Sequence, residues 1–264
     1  MNKNHAESIT DIALKAGSIV LENGGETYRT EDTIMRIASS LGAVSPSSFV
    51  TPTVVMLSFT DTEGNHHSAM RRIKQRGVNL RKVALINALS RRLEKRKKAD
   101  KAADFLQTAY TLERIHRSPK YPVSAVLFCA ALSSLCFAFM FGGTFKDALA
   151  ASVIGLILRL IVIKVEKISL NVFFLSFLYG GIISIFTELI FLCGYTGSPI
   201  IITSAVLMQV VPGLAIVNAI RDIIAGDLVS GAARALEAFM IAAGLSLGSV
   251  LGLFAFSGIT GVLL

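Results

Sequence analysis

The sequence contains few of the residues, and none of the common motifs, from which disulfide frameworks, metal sites and hydrolytic centres are built. Its three cysteines, Cys129, Cys136 and Cys193, lie in or beside apolar segments. Their odd number and their spacing argue against disulfides and metal binding, and we expect buried apolar thiols. No GxSxG, HExxH, Walker or CxxC motif occurs. We therefore expect no catalytic residue, no metal and no cofactor, and hence no enzyme.

Charged residues are also scarce, and their distribution divides the chain. They make up 17% of the residues, against 53% that are hydrophobic, whereas soluble domains have about 25% charged residues. Residues 1–120 hold 20 of the 26 lysines and arginines and carry a net charge of +8, while residues 121–264 are neutral overall. No signal peptide is visible near the start. We predict a basic domain at 1–118 and an apolar domain at 119–264.

The apolar domain contains stretches of about 20 residues, the length of a helix that crosses a bilayer. We predict about five such helices, at residues 121–141, 147–163, 171–192, 199–220 and 232–256. Positive charge near helix ends marks the cytoplasmic side. The basic domain, Lys164, Lys167 and Arg221 then agree on a cytoplasmic N-terminus, with Leu264 outside.

The N-terminal domain has a mixed α and β pattern. Helical periodicity predicts helices at 9–20, 30–41, 83–93 and 99–115, and alternation predicts strands at 49–60 and 66–73 that flank a turn. The fold class is thus an α-helical integral membrane protein with an α/β cytoplasmic domain. The basic run 91–101 is typical of a solvated helix face or of a segment that binds anionic lipid headgroups. It lacks the aromatics and motifs of nucleic-acid binders, so no nucleic acid is expected.

A break is expected in the middle of the fourth predicted span. Gln209 would lie about 15 Å into that span at the helical rise of 1.5 Å per residue. Pro212 and Gly213 follow, and proline removes a backbone donor and clashes with the preceding turn. Broken helices of this kind line substrate sites in transporters, although a packed kink is an equal alternative. We predict that Gln209, Pro212 and Gly213 bind substrate.

A polar cluster follows the break. Its members are predicted to lie at the cytoplasmic mouth of the membrane domain; they are Asn218, Arg221, Asp222, Asp227, Arg234 and Glu237. Arg221 and Arg234 can receive a substrate carboxylate, because guanidinium offers a two-pronged donor. Asn218 and Asp222 share their helical face with Arg221. Asp227 and Glu237 are candidates for proton coupling. The alternative is ion pairing at the membrane interface.

Two further ionisable residues interrupt predicted spans. Glu188 lies towards the outer end of the third span, and Arg159 lies in the second. Ionisable residues inside a membrane are costly and are functional candidates. Glu188 can carry a coupling proton or extend to the outer water. Arg159 can also reach the cytoplasmic interface through its long side chain.

Several segments resemble the bacterial threonine/serine exporter family. The first is VPGLAIVNAIRD at 211–222, which is followed by GDLVSG at 226–231 and by Arg234. The others are GGETYRTEDT at 24–33, Thr51-Pro52-Thr53 and Arg71-Arg72. The resemblance extends from about residue 9 to residue 256.

The resemblance implies a secondary exporter with a cytoplasmic N-terminal domain. Single-chain members of the family have about twice as many spans as the five predicted here. The chain therefore resembles the larger component of split members, which pair with a small integral membrane protein, and one such bacterial pair is associated with succinate export. An amino acid and a dicarboxylate both remain open as substrates. A homo-oligomer remains open too, as do a membrane scaffold or sensor and a membrane-bound hydrolase.

Overall fold

The chain forms two units in the computed structural model, which describes residues 3–95, 101–119, 121–165 and 171–260. The first unit consists of Met1–Lys120 and Leu214–Ala235, and the second of Tyr121–Gly213 and Leu236–Leu264. Each has a hydrophobic core of its own. Lys167, on which the predicted orientation partly rests, lies outside the described residues.

The first unit combines helices with a small antiparallel sheet, as its mixed pattern predicts. Its N-terminal elements are α1 (Lys3–Glu22), α2 (Thr27–Ser40), β1 (Val44–Thr51), β2 (Val54–Thr60), β3 (His66–Arg72), α3 (Leu80–Lys95) and α4 (Lys101–His116). The sheet order is β1-β2-β3. The single predicted strand 49–60 is wrong, because the chain turns at Pro52-Thr53 and Thr51 pairs with Val54. Proline has no N–H for a ladder and favours turns.

The core of the first unit lies between the sheet and the helices. Val55, Leu57 and Phe59 alternate along β2 and are all buried, as the period of two in a strand requires. Ile9 and Ile19 of α1 are also fully buried in this cluster. The apolar periodicity of the sequence therefore identifies the residues that hold the unit together.

The second unit is built from long apolar helices. They are α5 (Val123–Met140), α6 (Phe145–Val165), α7 (Val172–Leu192), the short α8 (Pro199–Leu207) and most of α10 (Leu228–Thr260). Between α8 and α10 lies α9 (Gly213–Ile224), which belongs almost entirely to the first unit. Within the described part of the chain, α5, α6, α7 and α10 are long and apolar enough to cross a membrane.

The fourth predicted span, 199–220, is not a continuous helix. Helix α8 has nine residues and measures about 14 Å at 1.5 Å per residue, which is far short of the roughly 30 Å hydrocarbon core. A turn follows, and α9 begins just after Pro212. The predicted break is confirmed, and the predicted span 199–220 consists of two short helices rather than one helix of full length, because the proline prevents helix continuation.

Helices α7 and α10 approach closely through glycines. Gly244, Gly248 and Gly252 recur every four residues along one side of α10. A Cβ atom on Gly244 would lie 2.8 Å from the carbonyl oxygen of Phe173, and one on Gly248 would overlap the carbonyl of Phe177. Small residues at such spacing let two backbones pack within a membrane, so this stripe fixes how α7 and α10 pair.

The start of α6 is held by a buried carboxylate. Asp147 accepts hydrogen bonds from the backbone N–H and the hydroxyl of Thr144, and Thr144 Oγ1 accepts from the Asp147 N–H at 3.3 Å. Asp147 also accepts from Tyr195 Oη and from the Ser198 N–H. This reciprocal pattern is a helix cap. It ties the loop before α8 to α6.

The cysteines differ from the expectation of buried thiols. Cys129, Cys136 and Cys193 are all exposed at the surface of the protein. The apolar sequence around them produces membrane-type helices whose outer faces carry apolar side chains. Local hydrophobicity therefore does not imply burial in this unit.

Candidate functional site

The loop between α1 and α2 binds residues of α9 and α10 through a group of polar contacts within the first unit. We call this group the polar clasp; its members are Gly24, Gly25, Glu26, Thr27, Asn218, Arg221, Asp222 and Arg234. The loop exists because α1 ends at Glu22 and Gly24 adopts a left-handed conformation with φ of +93°, which glycine tolerates without strain. The turn leaves loop carbonyl groups free to accept hydrogen bonds.

Asp222 is the centre of the polar clasp. Its side chain is fully buried, and it accepts hydrogen bonds from the Thr27 N–H at 3.0 Å and from the Thr27 hydroxyl at 2.9 Å. Thr27 is the first residue of α2, so Asp222 places a negative charge at a helix N-terminus, where the helix dipole favours it. Arg234 Nε lies 3.3 Å from Asp222 Oδ2 and balances that charge.

The other contacts of the clasp join side chains to the loop backbone or to Glu26. Asn218 Nδ2 donates to the Gly24 carbonyl at 3.0 Å, and Arg234 Nη2 donates to the Gly25 carbonyl at 2.9 Å. Arg221 pairs with the carboxylate of Glu26. The side chain of Arg221 is 56% exposed, whereas that of Glu26 is 7% exposed. Arg221 is therefore the member of this pair that solutes can reach.

Two more carboxylates lie near Asp222. Burial raises the pKa of Asp227, and the negative charge of Asp222 raises it further. Burial also raises the pKa of Glu31, although its carboxylate accepts a hydrogen bond from the Val50 N–H at 2.8 Å. Like charges close together disfavour ionisation. No cluster of three or more His, Cys, Asp or Glu residues suited to a metal occurs in the described ranges.

In the second unit, the turn after α8 presents Gln209 to α5. Its amide nitrogen donates to the Ala130 carbonyl at 3.1 Å and to the Ser134 hydroxyl. Gly155 of α6 makes room, because a Cβ there would overlap the Gln209 amide and the Ser134 side chain. Gln209 thus links the turn after α8 to α5 at a partly buried polar point beside α6.

The comparison with known proteins decides the family. A family model described as "Putative threonine/serine exporter" matches residues 11–256, which include both sides of the polar clasp. The chain belongs to the threonine/serine exporter family. With the four long apolar helices of its described residues, it is a multi-pass membrane protein of that family. No solved structure matches it.

Relatives within the threonine/serine exporter family have low identity but match most of this chain. The "Probable succinate transporter subunit YjjP" of Klebsiella aerogenes is 22% identical over 237 residues, which are 88% of each chain. The protein of the same name from Escherichia coli strain K12 is 22% identical over 96% of each chain. A "Probable threonine/serine exporter" of Mycobacterium tuberculosis is 22% identical over 94% of this chain but 46% of its own length.

The residues predicted to bind substrate are divided between the two units of this exporter-family chain. Asn218, Arg221, Asp222 and Arg234 meet in the first unit, whereas Gln209, Pro212 and Gly213 belong to the second. Their predicted role in substrate binding stays a prediction. Both arginines of the clasp already contact carboxylates of the chain itself.

The three residues predicted to couple protons are divided between the two units. Asp227 is partly buried just before α10, and Glu188 is a buried residue of α7, 4% exposed. Glu237 is partly exposed on the portion of α10 that belongs to the second unit. Their role in coupling stays a prediction.

The partners of Arg221 and Asp222 were not predicted from the sequence. Glu26 and Thr27 face Arg221 and Asp222 across 195 positions of sequence. The available signal was that the two segments resembling the exporter family, 24–33 and 211–222, are rich in complementary polar groups. That signal shows which segments matter but not that they touch.

Proposed function

We propose that this chain is the larger subunit of a secondary-active exporter that moves small carboxylate-bearing metabolites out across the inner membrane of a bacterium. The observation that carries the proposal is the family match over residues 11–256. The relatives matched over most of their own length are named succinate transporter subunits. Threonine or serine and a dicarboxylate such as succinate are the two substrate classes to test.

A second membrane protein would complete the transporter. The chain covers 46% of the mycobacterial relative, which is named an exporter rather than a subunit. The named subunits have about the length of this chain. We therefore propose a small integral membrane protein as the partner, which supplies the missing half of the pathway. A homo-oligomer of the pair is compatible with this arrangement.

The proposed orientation places residues 1–118 in the cytoplasm and the long apolar helices of residues 119–264, which are α5, α6, α7 and α10, in the membrane. It is supported by the net charge of +8 in the N-terminal part and by Lys164 at the C-terminal end of α6, because positive charge stays on the cytoplasmic side. In that orientation residues 1–118 are accessible to a substrate in the cytoplasm.

Arg221 is the proposed first contact for a substrate carboxylate. Its guanidinium is more than half exposed and already holds the carboxylate of Glu26. A carboxylate-bearing metabolite would compete with Glu26 for the same two-pronged donor. Displacement of Glu26 would loosen the loop between α1 and α2, which gives the cytoplasmic domain a way to gate the pathway.

The remaining predicted residues have supporting roles in the proposal. Gln209 and the Pro212-Gly213 break would present polar and backbone groups to the substrate inside the membrane. Glu188, Asp227 and Glu237 are the proposed carriers of a coupling proton. A scaffold or sensor without transport is the competing function, and it predicts that variants of these residues leave every solute flux unchanged.

Export from preloaded cells tests the proposal. Cells that express the chain alone, the small partner alone or both together are loaded with labelled threonine, serine or succinate. The proposal predicts efflux only from cells with both proteins. Equal retention of all three solutes in every strain, with both proteins present in the membrane, would contradict it.

A further inference from the structure

A cavity of about 490 Å³ lies within the second unit, between α5, α6 and the turn after α8. Its volume is in the range of small-molecule sites, which is about 300–1,000 Å³. Most of its lining is apolar, and the polar groups come from Cys129, Ser133, Arg159 and Gln209.

Arg159 is the charged group of the cavity. Among the described residues that line it, no other is a lysine, arginine, histidine, aspartate or glutamate. The Nε atom of Arg159 is buried and has no hydrogen-bond partner in the described part of the chain. An ionised side chain inside a membrane helix is costly and is normally paired. A mostly apolar cavity that is lined by the side chain of an arginine is suited to an anion.

Gln209 gives the cavity its second polar feature. Both hydrogens of its amide nitrogen are used by the Ala130 carbonyl and the Ser134 hydroxyl. The amide oxygen is left as an acceptor, and the Ser133 hydroxyl lies in the same lining. These groups suit the hydroxyl, ammonium or protonated end of a small metabolite whose carboxylate binds Arg159.

The position of Arg159 along α6 suits loading from one side. It precedes the end of α6 at Val165 by six residues, about 9 Å at the helical rise. Tyr121, just before the start of α5, also lines the cavity. The C-terminal end of α6 and the N-terminal end of α5 face the cytoplasm in the proposed orientation.

We propose that this cavity is the carboxylate-binding site of the exporter, with Arg159 as the residue that binds the substrate carboxylate. The assignment rests on the proposed function and names a site in the second unit, in addition to the first contact proposed at Arg221 of the first unit. Arg159 offers a two-pronged donor that matches a carboxylate. The occupant is a small metabolite with at least one carboxylate.

Cys129 provides a direct test, because it lines the cavity. In the full chain with C136S and C193S, expressed with its partner, Cys129 is labelled by N-ethylmaleimide in membranes with succinate, L-threonine, threoninamide or inorganic phosphate. By mass action, a bound metabolite at about ten times its dissociation constant slows labelling about tenfold. We expect protection by succinate, L-threonine or both, and none by threoninamide, which lacks the carboxylate.

Substitutions show whether Arg159 is responsible for that protection. R159Q should raise the half-protecting concentration about 10- to 100-fold, the effect of one hydrogen-bonded charged contact, and R159K should do so less. K164Q, an exposed cation five residues further along α6, should leave it unchanged. Protection that R159Q does not alter, protection by threoninamide or phosphate equal to that by the acids, or a Cys129 that never reacts would each overturn the assignment.

Export measurements separate this assignment from the proposed function. If the unaltered pair exports and R159Q, at equal abundance in the membrane, exports equally well, the cavity assignment fails alone. If the unaltered pair exports none of the three metabolites, the proposed function fails whatever the labelling shows.

Discussion

Asp222 accepts two hydrogen bonds from Thr27, one from its backbone N–H at 3.0 Å and one from its hydroxyl at 2.9 Å. The two residues are 195 positions apart, yet the carboxylate is fully buried at the start of α2. This contact fastens the chain after the Pro212 break to the N-terminal part of the first unit. The two segments that resemble the exporter family, 24–33 and 211–222, thus contact each other through the polar clasp.

Removal of the Asp222 carboxylate should destabilise the first unit. D222A leaves Arg234 with a buried charge that has lost its carboxylate, and the loss of one partner of a buried pair costs about 3–5 kcal/mol. Thermal unfolding in detergent measures the change. D32A is the matched control, because the Asp32–Arg36 pair is largely exposed and such pairs contribute at most about 1 kcal/mol. Equal melting of the two variants would contradict the account of the clasp.

The glycine stripe of α10 should not tolerate added side chains. In G248A the new Cβ would overlap the Phe177 carbonyl, and overpacking costs about 1–3 kcal/mol. G258A on the same helix is the control, since no atom of the described residues lies within 4 Å of its Cβ position. Size-exclusion chromatography after heating should show earlier loss of the folded peak for G248A alone. Indistinguishable profiles would mean that α7 and α10 do not pack in this way.

Asp227 should make stability depend on pH. Its folded pKa is raised above the ordinary 3.8, so ionisation costs more in the folded state than in the unfolded state. D227N should therefore melt higher than the unaltered chain above that pH, and the gain should vanish below about pH 3.8.

Asp61 is the control of opposite sign for the pH experiment. The hydrogen bond with His67 lowers the pKa of Asp61 to about 2, so its contribution to stability is present above the unfolded pKa and is lost as the pH falls towards 2. D61N should melt lower than the unaltered chain at neutral pH. A D227N variant that loses stability at neutral pH, as D61N does, would show that the carboxylate of Asp227 is stabilising.

Arg221 should affect export more than folding. Its side chain is 56% exposed and Glu26 also pairs with Arg29 at 3.0 Å, so R221Q should change the melting temperature little. Export by the pair should fall by about tenfold or more if a substrate carboxylate binds this guanidinium. E26Q frees Arg221 and should instead lower the substrate concentration for half-maximal export. Unchanged export in both variants would remove Arg221 from the pathway.

Much of the secondary structure follows from the sequence, because periodicity reports which face of an element is buried. The helices around Ile9, Ile34 and Val83 and the return strand at His66 are confirmed. The turn at Pro52 was missed, since valine and threonine continue on both sides of it and give one unbroken β-type pattern.

The site is less predictable than the fold. The polar residues after Pro212 could be identified singly, because charge beside an apolar span is unusual. Their pairing with the loop at Gly24 depends on a contact between distant segments, which no local pattern encodes. The sequence indicates that Arg159 can reach the cytoplasmic interface of the membrane through its long side chain. Only the packing of the surrounding helices shows that a cavity lies beside it.

Transport by purified components is the direct test of whether this chain is an exporter subunit. The chain and its small partner are reconstituted together or separately into liposomes, a pH gradient is imposed, and movement of labelled succinate and threonine is followed. The account predicts gradient-driven transport of at least one of them only when both proteins are present. The absence of transport of either with both proteins folded in the bilayer, or full transport by the partner alone, would contradict the claim that this chain is an exporter subunit.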